Sequence, residues 1–409
     1  MSVPTFNAAV LIVGAGQAGA NVAFALRRHG HTGRITLIGD EPHFPYERPP
    51  LSKDVLQGKM ATEKCAVRAE SQYVEHQIDV LLNDKVTNID RIARTVSLLS
   101  GKLLGYDVLV LATGARARRL TMPGADDHRV HVLRTLADSL ALKEAMQKTR
   151  KLVLVGGGFV GLELAASARS LGLEVCVLEQ APLLMGRVLP AEVATYMADL
   201  HARNGVEIKT SVALHGISAQ ENLVAKTSVG DIHADLIVVG IGSIPNTELA
   251  VQSGLVVDDG IVVDAYGQTS DPQIYAVGDV TRHPNAFLGR SLRLESWQNA
   301  QNQAIAVAQH LCGSALPYAE IPWVWSDQFT MNLQMVGLME PNLRWVRRGV
   351  PDVDSATWFG MRDDGVPRCA IMINQGRDMR FAKQLLAKAT PIDVNSFSDL
   401  TIPLQKLVA

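Results

Sequence analysis

The chain has 409 residues, of which 47% are hydrophobic and 20% charged, a composition typical of a globular protein with two or three domains. Lys and Arg number 39 against 41 Asp and Glu, so the formal net charge of −2 argues against a nucleic-acid or anionic-membrane partner. Four scattered cysteines without a C-x-x-C pair indicate neither a metal site nor a disulfide framework, and they fit a reducing cytoplasm.

The first predicted elements are a strand, a glycine turn and a helix. Residues 8–13 (AAVLIV) form an apolar run rich in β-branched side chains, and GAGQAG then opens a helical pattern that continues to Leu26. A second apolar run at residues 34–39 completes a βαβ unit, with Asp40 at its carboxyl end. Residues 7–26 carry no charged side chain, but glycines, Gln17 and Asn21 interrupt them, so we expect neither a signal peptide nor a membrane span.

The same order of elements recurs about 140 residues later. Residues 151–155 (KLVLV) lead into GGGFVG, a helical pattern to Leu171 and a strand at 174–179 that ends at Glu179. Solenoid repeats have periods nearer 20–50 residues, so two such units predict two nucleotide-binding domains.

Other apolar runs complete the two predicted domains. Buried strands are expected within residues 106–113, 235–246 and 273–279, and a helical pattern spans 295–311. Each of the first two runs is expected to end one Rossmann-like half.

The last segment, from about residue 321, has a different character. Residues 357–374 predict a hairpin around Asp363-Asp364-Gly365, and residues 377–389 predict an amphipathic helix. We therefore expect a small third domain of the α+β class.

Gly14, Gly16 and Gly19 carry the first chemical signal. They allow a tight turn, close approach of the backbone to a pyrophosphate, and helix amides that face its charge. Asp40 lies about 20 residues after Gly19, where an acid binds a ribose hydroxyl. By itself, such a motif is also compatible with a tight turn in an unrelated α/β protein.

Gly156, Gly158 and Gly161 repeat the motif, and Glu179 follows at nearly the same spacing. A carboxylate there accepts both ribose hydroxyls of NADH and repels a 2′-phosphate, so NADH is expected rather than NADPH. The alternative is that Glu179 only caps a strand in solvent.

Seven segments stand in the order seen in two-dinucleotide-fold flavoprotein reductases: GAGQAG, PYERPPLSK, LATGA, VGGGFVGLELA, VGIGSIPN, YAVGD and LESWQNAQNQA. The chain resembles the FAD-dependent NADH:ferredoxin reductases of bacterial Rieske oxygenase and haem monooxygenase systems, within the glutathione-reductase-like family. The resemblance covers nearly the entire chain and extends to WVWSDQF at residues 323–329.

The resemblance implies an α/β fold with two Rossmann-like dinucleotide-binding domains, for FAD and NAD, and a small C-terminal α+β domain. The implied segments are 1–114 (FAD-binding, first part), 115–245 (NAD-binding), 246–320 (FAD-binding, second part) and 321–409 (C-terminal).

The resemblance also implies the residues that contact FAD or NADH. These positions are Gly14, Gly16, Ala18, Gly19, Asp40, Lys53, Val86, Ala112, Thr113, Gly114, Arg134, Gly156, Gly158, Gly161, Glu163, Glu179, Gly242, Asp279 and Trp297. Among them, Asp279 is expected to hydrogen-bond the ribityl chain of FAD.

Lys53, Glu163 and Trp297 are the implied catalytic residues. Lys53 is expected near the reactive edge of the isoalloxazine, where a cation stabilises the reduced ring, and Trp297 against the flavin. Glu163 is expected to approach the nicotinamide pocket, where it could pair with Lys53. The alternatives are a surface lysine, a tryptophan in core packing, and an exposed first-turn glutamate favoured by the helix dipole.

The cysteine pattern bears on the route of the electrons. Hydride transfer from nicotinamide to flavin needs orientation and no general base. Disulfide-reductase relatives place a cysteine pair beside the flavin, and related peroxidases and oxidases place one cysteine, but this chain has none before Cys65. We therefore expect single-electron transfer to an external one-electron carrier. The resemblance implies that this carrier is a [2Fe-2S] ferredoxin that serves an oxygenase of the Rieske type.

Two other functions remain compatible with the sequence. One is an NADH oxidase, or a quinone or rubredoxin reductase. The other is an NADH-responsive signalling flavoprotein that changes its assembly when reduced, as in proteins resembling apoptosis-inducing factor.

An acidic ferredoxin requires a local basic surface on a reductase whose net charge is near zero. The candidate residues are Arg116, Arg118, Arg119, Arg290, Arg293, Arg344, Arg347 and Arg348. For each cluster, a solvated surface without a partner is the alternative.

Overall fold

The computed structural model describes residues 7–349 and 355–408. The strands of this part are, in chain order, β1 (Val10–Val13), β2 (Ile35–Ile38), β3 (Ile78–Leu81), β4 (Val86–Asp90), β5 (Thr95–Leu98), β6 (Leu103–Gly105), β7 (Val108–Leu111), β8 (Ala115–Ala117), β9 (Val130–Val132), β10 (Lys151–Val155), β11 (Glu174–Leu178), β12 (Val206–Lys209), β13 (Leu214–Ala219), β14 (Leu223–Thr227), β15 (Gly230–Ala234), β16 (Leu236–Val239), β17 (Ser243–Pro245), β18 (Ile261–Val262), β19 (Ile274–Ala276), β20 (Thr281–Asn285), β21 (Arg290–Arg293), β22 (Trp323–Gln328), β23 (Met331–Gly337), β24 (Arg344–Arg348), β25 (Ala356–Met361) and β26 (Pro367–Ile373).

The α-helices of the same residues are α1 (Gln17–Arg28), α2 (Glu70–Glu75), α3 (Leu136–Met146), α4 (Phe159–Ser170), α5 (Ala191–Arg203), α6 (Glu248–Gln252), α7 (Trp297–Leu311), α8 (Met379–Lys388), α9 (Val394–Ser398) and α10 (Leu404–Leu407). Short 3-10 helices lie at Pro49–Ser52, Thr62–Cys65, Gly278–Val280 and Gly376–Asp378. None of the helices in the described ranges combines the length and the apolar character needed to cross a membrane.

Two compact units divide the chain. The first comprises the described residues up to Glu47, with Glu63–Arg116 and Ile244–Pro322; the second comprises Arg48–Thr62, Ala117–Ser243 and the described residues from Trp323 onward. Residues 48–62, which the sequence analysis placed inside the first FAD-binding segment, group with the second unit. The division into four domain segments stays a prediction.

The first unit is built on a parallel sheet with the strand order β19-β7-β1-β2-β3. Every residue of β1, β2 and β7 is buried, as unbroken apolar runs predict for a parallel sheet covered on both faces. Helices α1 and α7 pack together and share a core with β1. The strand order reverses beside β1, so the turn after β1 opens where doubly wound sheets bind ligands.

The second unit contains an equivalent parallel sheet, in the order β12-β11-β10-β16-β9. Strand β10 covers the predicted residues 151–155, and helices α4 and α5 contribute Leu164, Val193 and Met197 to its core. Here the order reverses beside β10, so the second glycine turn has the same place in its sheet as the first.

Residues from Trp323 onward form an antiparallel sheet in the order β22-β23-β26-β25-β24. Strands β25 and β26 form the predicted hairpin, and α8 lies within the predicted amphipathic helix and buries Ala382, Leu385 and Leu386. Leu333 and Ile371 of this sheet belong to the same hydrophobic core as α4 and α5. This segment is therefore α+β, as expected.

The antiparallel sheet β13-β14-β15 and the mixed sheet β18-β20-β21 were not predicted from the sequence. The physical reason is clear in β20, whose buried positions are the polar residues Thr281, His283 and Asn285. A hydrophobicity pattern does not detect a strand that buries polar side chains.

Candidate active site

The turn after β1 fits the pyrophosphate of a dinucleotide. Gly14 has a φ of +115°, and a Cβ there would lie 2.2 Å from the carbonyl oxygen of Ala112, so the position requires glycine. A Cβ on Gly19 would lie 2.0 Å from the oxygen of Gly14. The Cβ position of Gly16, at the start of α1, meets nothing within 4 Å. That open space beside helix amides is what a pyrophosphate needs.

The turn after β10 repeats this geometry. Gly156 has a φ of +110°, and its Cβ would lie 2.4 Å from the oxygen of Gly240; a Cβ on Gly161 would lie 2.2 Å from the oxygen of Gly156. Gly158, at the start of α4, again faces open space. Gly242 has a φ of +100° and also has open space at its Cβ position. Both turns therefore fit dinucleotide cofactors.

The two acids predicted to bind riboses lie in different surroundings. Glu179, which follows β11, accepts hydrogen bonds from the amides of Gly157 at 2.7 Å and Ala181 at 2.8 Å. Asp40, which follows β2, is exposed. The Glu179 carboxylate is thus held beside the second glycine turn, where its charge favours a ribose with free hydroxyls over a 2′-phosphate.

Gln303 on α7 organises the turn that carries Asp279. The amide of Gly278 donates to Oε1 of Gln303 at 2.8 Å, and Oγ1 of Thr281 donates to the same oxygen at 3.0 Å. A Cβ on Gly278 would lie 3.0 Å from Cβ of Ala18, so glycine allows this close packing. Sequence reasoning missed Gln303 because a glutamine within a helix carries no local signal of its long-range contact.

The segment after β7, residues 112–114, is fixed by Asn246. Oγ1 of Thr113 donates to the Asn246 carbonyl at 2.8 Å, and the Asn246 side chain donates back to the Thr113 carbonyl at 2.8 Å. Val86 begins β4 and is buried, whereas Trp297 begins α7 and is half-buried. The roles of these residues in FAD binding stay predictions.

Arg134 precedes the capping box of α3. Its amide donates to Oδ2 of Asp138 at 3.0 Å, and its carbonyl accepts from the guanidinium of Arg48. Arg48 belongs to the PYERPPLSK segment, so this contact connects two motifs of the resemblance within the second unit.

Lys53 and Glu163 form an ion pair in the second unit. Nζ of Lys53 lies 3.0 Å from Oε1 of Glu163, and the two side chains are 16% and 8% exposed. The expected pairing is confirmed, and the alternatives of a surface lysine and an exposed glutamate are wrong. Breaking such a largely buried pair from one side strands a charge and costs several kcal/mol, about 3 or more.

Further polar side chains, which sequence reasoning missed, converge on the same carboxylate. Ser52 donates to Oε2 of Glu163 at 2.5 Å, and Ser326 on β22 donates to Oε1 at 2.7 Å. Behind Ser326 lie Gln328, whose amide nitrogen donates to it at 3.0 Å, and His201 on α5, with Nε2 2.7 Å from Oε1 of Gln328. The only sequence signals were the PYERPPLSK motif, which contains Ser52, and the WVWSDQF motif, which contains Ser326 and Gln328.

The four cysteines are free thiols. Burial raises the pKa of Cys176 to about 12 and also raises the pKa values of Cys312 and Cys369, so these thiols are poor nucleophiles at neutral pH. Within the described residues, no cluster of three or more His, Cys, Asp and Glu side chains could hold a metal ion.

Arg348 was wrongly included among the docking candidates. Arg348 is the last residue of β24 and is only 8% exposed. The guanidinium donates to the carbonyl oxygens of Phe397, Asp399 and Ile402. Arg348 therefore anchors the C-terminal segment and is not available to a partner.

Several other candidate arginines are engaged in ion pairs. These pairs join Arg116 to Glu248, Arg293 to Glu295 and Asp259, and Arg347 to Glu192. The candidates with exposed side chains are Arg116, Arg118, Arg119, Arg290 and Arg344.

Comparisons with known proteins match nearly the entire chain. The family model for pyridine nucleotide-disulphide oxidoreductases matches residues 8–304, and that for the reductase C-terminal domain matches residues 323–408. The chain is 42% identical over 397 residues to the ferredoxin--NAD(+) reductase component of an anthranilate 1,2-dioxygenase system from Burkholderia cepacia, covering 97% of this chain and 98% of the relative.

Two crystal structures are also similar. A ferredoxin reductase from Rhodopseudomonas palustris is 40% identical, with a TM-score of 0.95 over 98% of this chain and 100% of that chain. The covalent putidaredoxin reductase–putidaredoxin complex matches at 37% identity and a TM-score of 0.94, over 98% of each chain.

Proposed function

The chain belongs to the pyridine nucleotide-disulphide oxidoreductase family, and from this premise we propose that it is an FAD-dependent ferredoxin–NAD(+) reductase. It takes electrons from NADH and passes them to a ferredoxin. The observation that carries the proposal is the match over nearly the whole chain, including the C-terminal segment, to reductase components of oxygenase systems.

The finer assignment concerns the partner. We infer a [2Fe-2S] ferredoxin that serves an oxygenase, of the Rieske type by analogy with the anthranilate 1,2-dioxygenase component. The existence of a covalent complex between putidaredoxin reductase and putidaredoxin supports direct docking of such a partner. The four free cysteine thiols are consistent with a cytoplasmic location.

Some residues of the site hold the cofactors, and others orient them. Bound FAD supplies the redox chemistry, accepting a hydride and releasing electrons singly. Gly14, Gly16 and Gly19 hold its pyrophosphate, and the Gly156–Gly161 turn with Glu179 holds NADH. The Lys53–Glu163 pair positions a cation for the reacting rings, a role that rests on the family resemblance and on the observed ion pair.

Docking of an acidic ferredoxin is assigned to the exposed arginines. Arg290 is the best single candidate, since it is exposed and lies only four residues before the LESWQNA segment. Arg293 is less suitable because Glu295 and Asp259 already balance its charge.

The function is tested by NADH-driven cytochrome c reduction with and without the [2Fe-2S] ferredoxin of an oxygenase system. The proposal predicts a strong dependence on ferredoxin. Rapid oxygen consumption without a carrier would instead identify an NADH oxidase. Slow turnover with a reduction-dependent change in oligomer size would identify a signalling flavoprotein.

A further inference from the structure

A chain of buried hydrogen bonds leads away from the Lys53–Glu163 pair into the second unit. It runs from Glu163 through Ser326 and Gln328 to His201, with donor–acceptor distances of 2.7, 3.0 and 2.7 Å. Ser326, Gln328 and His201 are each 0% exposed, so water does not compete for these bonds. This series of hydrogen bonds connects three elements: α4, β22 and α5.

When Glu163 is ionised, the donors and acceptors in this series of hydrogen bonds can be arranged in only one consistent way. A carboxylate has no proton to give, so Ser326 must donate its single hydroxyl proton to it. The hydroxyl oxygen can then only accept, which turns the amide nitrogen of Gln328 toward Ser326. The amide oxygen faces His201 and can only accept, so Nε2 of His201 must carry the proton.

His201 is suited to remain a neutral donor. Its Nδ1 is buried and has no hydrogen-bond partner in residues 7–349 and 355–408, and the ring meets Phe329 edge-on with centroids 5.1 Å apart. Burial lowers the pKa of His201, so the ring stays uncharged near neutral pH. The imidazole therefore supplies a fixed N–H at the far end of the chain.

The near end of the chain is equally constrained. Oε2 of Glu163 accepts from Ser52, whose own carbonyl accepts from Ser167 at 2.7 Å. Oε1 accepts from Ser326 and faces Lys53. With both oxygens occupied, the carboxylate cannot rotate without losing a short hydrogen bond, and the position of the Lys53 ammonium follows from it.

We propose that His201, Gln328 and Ser326 form a directional relay that positions the Glu163 carboxylate, and through it Lys53, for hydride transfer from NADH. The three are positioning residues, since none is required to touch a cofactor. The effect on catalysis rests on the proposed function, but the coupling between the charge of Glu163 and the tautomer of His201 does not.

The coupling is tested by ¹⁵N NMR of the FAD-loaded protein with labelled histidine. His201 is one of 11 histidines, and its signals are identified by their loss in His201→Gln. The relay predicts the Nε2–H tautomer in the wild type. Glu163→Gln should shift this equilibrium toward Nδ1–H. An amide at position 163 can donate as well as accept, so Ser326 is no longer required to donate to it and the direction of the following hydrogen bonds is no longer fixed.

Glu192→Gln is the matched control, because it removes a negative charge from α5, the helix that carries His201, without touching the relay. It should leave the His201 signals unchanged. A wild-type ring protonated at Nδ1 would overturn the relay. So would a Glu163→Gln protein whose His201 tautomer is unaltered, or a Glu192→Gln protein that changes it as much.

The catalytic part is tested by anaerobic stopped-flow reduction of the flavin by NADH. His201→Phe, which removes the donor, should slow hydride transfer about tenfold while the Kd for NADH stays within about twofold. His201→Gln places an amide N–H near the same point and should retain a rate within about threefold of the wild type.

Ser326→Ala offers a milder break of the relay, should the aromatic replacement fail to fold, and it should also slow hydride transfer. Equal losses in His201→Phe and His201→Gln would overturn the relay in favour of simple packing, as would a normal rate in Ser326→Ala. If ferredoxin reduction were absent altogether, the proposed function would fail while the tautomer measurement still decided the relay.

Discussion

Two alanine substitutions in one glycine turn should separate cofactor binding from folding. Gly158 has φ and ψ of −87° and −174°, which alanine adopts freely, and its Cβ position meets no atom within 4 Å. Gly158→Ala should therefore keep or raise the free energy of unfolding, by about 0.4–1 kcal/mol. The added methyl group occupies the space that the NADH pyrophosphate needs, so the Kd for NADH should rise at least about tenfold, or 1.4 kcal/mol.

Gly156→Ala should show the opposite behaviour. Its φ is +110°, and the new Cβ would lie 2.4 Å from the backbone oxygen of Gly240, which cannot move without disturbing the end of β16. Backbone strain alone costs about 1–3 kcal/mol, and the steric overlap adds to it. We expect a lower Tm without nicotinamide and loss of the folded turn.

The assay compares thermal unfolding of the two FAD-loaded variants without nicotinamide, followed by anaerobic stopped-flow titration with NADH. The refuting results are a Gly158→Ala protein that binds NADH as tightly as the wild type, or one destabilised as much as Gly156→Ala. The first result would mean that the second turn does not hold the pyrophosphate, and the second would mean that the Cβ position of Gly158 is not open space.

Three further predictions follow from named side chains. The kcat/KM for NADH should be much higher than that for NADPH, and Glu179→Ala should lower the ratio of the two values about tenfold. Steady-state kinetics that give the wild type equal kcat/KM values for NADH and NADPH would contradict this prediction. Arg290→Glu should slow ferredoxin reduction at low ionic strength, and the difference in rate from the wild type should shrink as salt is added, while the rate of flavin reduction by NADH is unchanged. If the rate of ferredoxin reduction depends on salt as it does in the wild type, Arg290 is excluded from docking. Burial lowers the pKa of His283 to about 4, so the unfolded protein binds a proton at this histidine at a higher pH than the folded protein does, and the free energy of unfolding should fall by up to about 3 kcal/mol between pH 6.5 and 4. Denaturant titrations should show that His283→Gln removes this loss of stability. An equal loss in that variant would refute the assignment to His283.

Periodic apolar runs and glycine turns allowed most of the parallel framework to be predicted. Strand β10 has the predicted bounds because the four residues after Lys151 form an unbroken apolar run, which is how a parallel central strand is recognised. The two glycine motifs were informative because part of their geometry is local: Gly14 and Gly156 have positive φ angles, and a Cβ on Gly19 or Gly161 would overlap the oxygen of the first glycine of its own motif.

The relay behind Glu163 could not be predicted in the same way. Ser326 lies 163 positions from Glu163 and Gln328 lies 127 positions from His201, so neither contact leaves a trace in local spacing. The same limitation explains the error at Arg348. A run of arginines suggested a basic surface, but only Arg344 of β24 is exposed, whereas Arg348 is buried beneath the C-terminal segment whose carbonyl oxygens it binds.

The proposed function requires that electrons pass from NADH through the flavin to a one-electron carrier. An anaerobic titration can measure this transfer: the FAD-loaded protein and excess oxidised [2Fe-2S] ferredoxin receive known amounts of NADH, and the absorbance of flavin and ferredoxin is followed together. Two ferredoxin molecules should be reduced for each NADH, because a hydride carries two electrons and each ferredoxin accepts one. Full reduction of the flavin by NADH with no reduction of ferredoxin would contradict it.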